Sequence, residues 1–181
     1  MKLHLGCGKR FLEGYTHIDL ADYEHIDIKT SVGDLNMIEN ESVNEIYASH
    51  VVEYFDRNEV VKVLNEWRRV LVVGGILRVA VPDFKSLLSI YHQTSNLNDI
   101  LGPLYGKWDM GSSNYIYHKT VYDFDSLGKL LKDNGFQNIQ LWNWKEIFAN
   151  QNNYDDHSQA YFPHMDKENG TLVSLNVECK K

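Results

Sequence analysis

Short apolar runs alternate along this chain with stretches of helical periodicity, and that order alone predicts the fold. Residues 2–5 form an apolar run almost at the N-terminus, and residues 15–20 alternate apolar and polar positions up to Asp19. Residues 43–49 and 75–81 read as two further strands, and 138–144 and 171–178 as two more near the end. Residues 28–32 supply a short edge strand. Each run is brief, rich in β-branched or aromatic residues and bounded by turn formers, which is how strands announce themselves.

Helical patterns lie between these runs. Asp56 followed by Glu59 makes an acidic capping box, after which Val60, Leu64, Trp67 and Leu71 recur on one face. Gly74 is expected to end that helix as a left-handed cap. Another helix starts near Asp123, is expected to bury Phe124, Leu127 and Leu131, and stops at Gly135. Phe136 then stands where a Schellman cap places its closing apolar contact. A third helix covers 83–92. Strands that alternate with helices build βαβ units around a parallel sheet. The last two strands are joined by a long stretch without a helical pattern, so they are expected to pair antiparallel. The sequence therefore predicts a single α/β domain over residues 1–181. Its sheet is doubly wound, Rossmann-like, seven-stranded and mostly parallel, with the last strand antiparallel.

Composition narrows the function. The chain has 181 residues and a formal net charge of −7, with 43% hydrophobic residues. No apolar run approaches the roughly 18 residues of a membrane span, and the first residues lack a secretory layout. An acidic chain with no basic patch disfavours a nucleic-acid partner. Cys7 and Cys179 stand at opposite ends and form no paired motif, as in a reduced cytoplasmic protein. His157 and His164 lack metal-ligand spacing, so no metal is expected.

Three loops carry candidate chemistry. The first strand runs into Gly6-Cys7-Gly8, and glycines at such a turn let a ligand approach the backbone without meeting a Cβ. Asp19, at the tip of the next strand, can accept hydrogen bonds from ribose hydroxyls. In Gly33-Asp34-Leu35 a carboxylate and an adjacent N–H could address adenine, although Gly-Asp is also an ordinary turn. Phe11 occupies the place of the third dinucleotide glycine, and Asp19 follows Gly6 more closely than the about 20 residues of that fingerprint. A nucleoside without phosphates fits better.

With these residues the chain resembles the class I S-adenosylmethionine-dependent methyltransferases. The likeness runs through Leu3-His4-Leu5-Gly6-Cys7-Gly8, Ile18-Asp19-Leu20, Gly33-Asp34-Leu35 and Ala48-Ser49-His50-Val51-Val52-Glu53. It continues through Arg69-Val70-Leu71, Gly74-Gly75-Ile76-Leu77, Val81-Pro82-Asp83 and Asn134-Gly135-Phe136. Within that superfamily the chain is similar to a short group associated with saccharide and cell-surface polysaccharide pathways. The resemblance implies S-adenosylmethionine as cofactor. Gly6, Cys7 and Gly8 would lie against its methionine portion, and Asp19 with Leu20 would hold the ribose. Asp34 and Leu35 would bind adenine, and Ser49 and His50 would line the pocket near the sulfonium. Arg10 replaces a family glycine, and the connection between the first two strands is too short for a full helix.

An acceptor hydroxyl must lose a proton during transfer, and His50, Glu53 and His118 are the candidates to take it. Each also has an ordinary reading: a helix-start residue, a partner for an arginine, a surface histidine. Tyr105, Trp108, Tyr115, Tyr117 and His118 form one aromatic stretch suited to a small or saccharide-like acceptor, and His157 lies in a second. The function expected is O-methylation of such an acceptor. The rival is a homologue that binds the cofactor without catalysis.

Overall fold

The computed structural model describes residues 1–109, 114–151 and 154–181. In chain order it contains β1 (Lys2–Leu5), β2 (Thr16–Asp19), β3 (Ile28–Lys29), β4 (Val43–Ser49), α1 (Glu59–Val70) and β5 (Leu71–Pro82). There follow α2 (Phe84–Thr94), α3 (Asn98–Tyr105), β6 (Trp108–Asp109), β7 (Tyr115–Ile116), α4 (Phe124–Asp133) and β8 (Gln137–Leu141). The chain ends through α5 (Trp144–Ile147), β9 (Tyr161–Phe162), β10 (Thr171–Leu172) and β11 (Ser174–Lys180).

Seven strands form the main sheet in the order β3-β2-β1-β4-β5-β11-β8. Every pair from β3 to β5 is parallel, whereas β11 runs antiparallel to both β5 and β8. That is the mostly parallel, seven-stranded sheet with an antiparallel last strand. The order reverses at β1 and β4, so the loops after those strands diverge and leave a crevice at the carboxyl edge.

Alternate side chains of the strands feed two cores. Ile46, Ala48, Leu77, Val79 and Val81 pack on one face against Val60, Leu64 and Trp67 of α1 and Leu127 and Leu131 of α4. On the other face Tyr47 and Ala80 meet Leu12, Trp142 and Phe148, with Trp144 and Ile147 of α5 around them. In the first crossover Arg10 N–H donates to Cys7 O (2.9 Å), closing a turn where a helix would otherwise begin. Leu12 N–H donates to His17 Nε2 (2.9 Å), and Leu12 is buried in the second core. A tied-down loop thus takes the helix's place.

Both local helix signals hold. Asp56 and Glu59 exchange side-chain-to-backbone hydrogen bonds of 2.9 and 3.0 Å. At the end of α4, Gly135 (φ +83°) and Phe136 donate to Lys132 O and Leu131 O, the two bonds of a Schellman motif. Some boundaries differ. Gly74 does not cap α1, which ends at Val70 because the backbones of Arg69 and Val70 accept from Glu41 and Ser42 and pull the chain into the sheet. Gly74 instead turns the chain inside β5, where pairing resets from Val43–Leu71 to Glu45–Ile76. Phe124 is exposed because the first turn of α4 carries it toward solvent. Trp144 leaves the strand to open α5, since the Asn143 side chain caps Lys145 N–H. Residues 171–178 divide at Val173, whose backbone bonds to Ala160 and Asp83, so β10 joins β9 in a separate small sheet. No pattern in the sequence announces α3, which encloses Pro103.

Candidate active site

A cleft of about 1020 Å³ opens at the carboxyl edge of β1, β2 and β4. Its floor is the glycine turn. Gly6 (φ +63°) and Gly8 (φ +53°) hold left-handed backbone that L side chains rarely adopt. A Cβ on Gly6 would lie 2.5 Å from Val51 Cγ2, and one on Gly8 would lie 3.2 Å from the Trp108 ring. Cys7 is buried, and burial together with the Asp19 charge pushes its thiol up to about 12, so it packs as a neutral group.

Asp19 both builds this turn and faces the cleft. Its Oδ2 accepts from Gly8 N–H (2.7 Å) and its Oδ1 from Ala21 N–H (2.8 Å). A carboxylate has about four lone-pair positions, so each oxygen keeps one for a ligand. Leu20, Ser31 and Val32 continue the wall beyond it. Asp34 and Leu35 are not among the lining residues. Leu35 is fully buried, and its N–H donates to Glu66 Oε1 (3.0 Å) while its carbonyl accepts from Arg69 (2.9 Å). In this fold that turn fastens a loop to α1.

The three proton-handling candidates converge beside the tip of β4. Glu53 lies in a one-turn 3-10 helix, Val52–Tyr54, and is 0% exposed. Its Oε1 is 3.1 Å from His50 Nδ1 and 3.8 Å from His118 Nε2, yet neither carboxylate oxygen has a well-aligned hydrogen bond among the described residues. His50 has left-handed backbone (φ +56°), fixed by its N–H on Ala80 O (2.8 Å). Its Nε2 lies 3.2 Å from Ser174 Oγ. Ser174 donates to Asn176 Oδ1 (2.9 Å), and Asn176 to Ser158 O (2.9 Å).

His118 is fastened differently. Its Nδ1 donates to Pro103 O (3.0 Å), which leaves Nε2 without a proton in the neutral ring. The Tyr54 ring stands edge-on at 4.7 Å, and a Cβ on Gly106 would come within 2.3 Å of Nε2. The backbone N–H groups of Lys119 and Thr120 donate to Glu53 O, tying the segment to the carboxylate's own turn. Burial holds the imidazole below its usual range, with the Glu53 charge opposing.

His157 meets His50 edge-on at 5.3 Å and is likewise lowered, by burial first and the His50 charge second. Asp156 fixes its turn by accepting from Tyr47 Oη (2.6 Å), Tyr154 Oη (2.9 Å) and Ser158. Ser49, Trp108, Tyr115 and Tyr117 line the cleft. Tyr105 does not: its ring is 60% exposed, and its contribution is a carbonyl that accepts His118 N–H (2.8 Å). Ser174 and Asn176 were missed from sequence. Their signal was two polar residues at alternate positions of an apolar strand, both on one buried face. Among the described residues no cluster of three or more His, Cys, Asp or Glu is placed to hold a metal ion, and no helix is long and apolar enough to cross a membrane.

No protein-family model matches this sequence, and no curated protein is similar to it. Solved structures do match the fold. An S-adenosylmethionine-dependent methyltransferase from Methanosarcina mazei superposes with a TM-score of 0.58 at 17% identity, covering 99% of this chain and 91% of that one. The 1,6-didemethyltoxoflavin-N1-methyltransferase of Burkholderia thailandensis, with bound S-adenosylhomocysteine, gives 0.57 at 13% identity, covering 99% and 70%. An S-adenosylmethionine-dependent methyltransferase from Thermotoga maritima gives 0.53 at 16%, and this chain spans 65% of its length while 87% of this chain is covered. The architecture is that of class I S-adenosylmethionine-dependent methyltransferases.

Proposed function

We propose that this protein transfers a methyl group from S-adenosylmethionine to a hydroxyl of a small, saccharide-like acceptor. The observation that carries the reading is the buried Glu53 carboxylate between His50 and His118, two histidines that line the same cleft as the Gly6–Gly8 turn and Asp19. The residues present fit the cofactor. The glycine turn lines the cleft with backbone on which Val51 and Trp108 pack closely, and Asp19 keeps acceptor positions suited to ribose hydroxyls. Leu20, Ser31 and Val32, which line the cleft beyond Asp19, would border the adenine. When bound, S-adenosylmethionine supplies an electrophilic methyl that leaves its sulfonium by direct displacement.

The chain's own task is alignment and proton removal. His118 Nε2 is the free base: neutral, desolvated and next to a carboxylate that favours the imidazolium once formed. Glu53, buried beside both histidines, acts on the acceptor only through them, its charge favouring the proton that His118 Nε2 takes up. His50 stands between the Glu53 carboxylate (3.1 Å) and Ser174 Oγ (3.2 Å). Calorimetry with S-adenosylhomocysteine and with NAD tests the cofactor, and labelled methyl transfer to nucleotide sugars, glycans and small phenols tests the reaction. Micromolar NAD binding without binding of the sulfur nucleoside overturns the reading. Tight cofactor binding with no transfer to any acceptor leaves a cofactor-binding protein without catalysis.

A further inference from the structure

The charged groups around the cleft differ in whether their hydrogen-bonding capacity is already used. Asp156 is saturated by two tyrosine hydroxyls and Ser158, and Glu59 pairs with Lys119 at 2.7 Å. Asp19 holds two backbone amides. Three cations on the same walls, Lys9, Arg10 and Lys107, are exposed, and none has an ion-pair partner among the described residues.

These cations come from two walls that touch. Lys9 and Arg10 continue the glycine turn, and the neighbour of Lys107, Trp108, packs on Gly8. The Lys107 ammonium is held 4.1 Å over the Tyr115 ring, within cation–π range. Arg10 lines the same cleft as His157, and its guanidinium is a planar fork that matches a carboxylate or phosphate. The cofactor's methionine end carries one carboxylate balanced by its own ammonium, and its sulfonium adds a further positive charge, so its binding leaves the net positive charge of these three side chains uncancelled. Open cationic donors thus remain for the acceptor, in a chain whose net charge is −7.

We propose that the acceptor is an anionic saccharide, one that bears a phosphate or carboxylate group, gripped between Arg10 and Lys9 on one wall and Lys107 on the other. This rests on the methyl-transfer reading for the identity of the cleft. The charged group would anchor the sugar while Trp108 and Tyr117 flank its ring and present a hydroxyl to His118.

The test is calorimetry on protein first saturated with S-adenosylhomocysteine, titrated in turn with glucose 1-phosphate, glucuronate and methyl glucoside. At least one charged sugar should bind about tenfold or more tightly than the neutral one, and the ratio of the two charged sugars tells phosphate from carboxylate. Raising the salt should weaken that binding. Arg10→Gln and Lys107→Gln should each weaken it about three- to tenfold while melting temperature stays constant. The proposal is overturned if methyl glucoside binds as well as the charged sugars, or if neither charged sugar binds. It is overturned too if the double variant binds them unchanged. Should S-adenosylhomocysteine itself not bind, the methyl-transfer reading fails, and the same titration of the free protein decides the anion site alone.

Discussion

The two walls of the cleft are built by different means. On the wall proposed to hold the cofactor, β1, β2 and β4 are adjacent parallel strands, so their tips are fixed by the sheet, and the turn is shaped by main-chain bonds together with the Asp19 carboxylate. On the wall proposed to hold the acceptor, β6, β7, β9 and β10 are two residues long, and the wall is held by side-chain bonds such as His118 on Pro103 and Tyr47 on Asp156. The first wall is part of the main scaffold. The second rests on a smaller core of Leu87, Ile90, Ile100 and Val173. Substitutions on the first should therefore damage cofactor affinity and stability together, whereas those on the second should damage turnover and leave the fold intact.

The largest effect expected is on the acceptor side. His118→Ala should lower turnover by about 10²–10⁴-fold with cofactor affinity unchanged. Because the imidazole is held below 6.5, its basic form is complete at neutral pH and lost as pH falls through the lowered value. Wild-type kcat/KM should then show an acidic limb below about 6.5 that the variant lacks. An equal loss of S-adenosylhomocysteine affinity would erase the distinction between the walls.

Gly6→Ala comes next and should do the reverse. The new methyl meets Val51 at 2.5 Å on left-handed backbone, so stability should drop by about 1–3 kcal/mol, read by chemical denaturation, and cofactor binding with it. Asp19→Ala should weaken S-adenosylhomocysteine by about 1.5–3 kcal/mol in calorimetry. It should also lower the melting temperature, since two backbone amides lose their acceptor. Normal stability with weakened binding would make Asp19 a ligand group only.

His4, buried behind the glycine turn, sharpens the comparison through pH. Burial lowers it to about 3, so the folded protein binds one proton fewer than the unfolded chain between that value and about 6.5. Its contribution is fully present above 6.5 and lost on acidification, at up to about 1.4 kcal/mol per pH unit. Urea melts at several pH values should show this slope, and His4→Phe should flatten it. The smallest effect belongs to Tyr105→Ala, whose exposed ring lies outside the cleft: stability should stay within about 0.5 kcal/mol, with kinetics unchanged.

Local signals were legible in the sequence wherever partners are a few residues apart. The Asp56–Glu59 box and the Gly135-Phe136 cap depend on spacing alone, and both formed. Strand periodicity fixed the parallel sheet and placed Gly6, Gly8, Asp19 and Ser49 at its tips, because burial on alternate faces leaves strands little choice. Gly33-Asp34-Leu35 shows where that legibility stops. Only α1, packed across it, decides that the Leu35 amide goes to Glu66 and not into the cleft.

The same holds for the second wall. Nothing local brings His118 to Glu53, or Ser174 to His50 across more than a hundred residues of chain. Residue types and their order determined the fold class, the strand tips and a list of groups able to move protons. Tertiary packing alone decided which of those groups share a buried carboxylate and which backbone donors are consumed by the fold. The physical reason is distance: a turn or a cap is settled within one helical turn or one pleat. A desolvated charge and its neighbours exist only once remote segments have closed over them and excluded water.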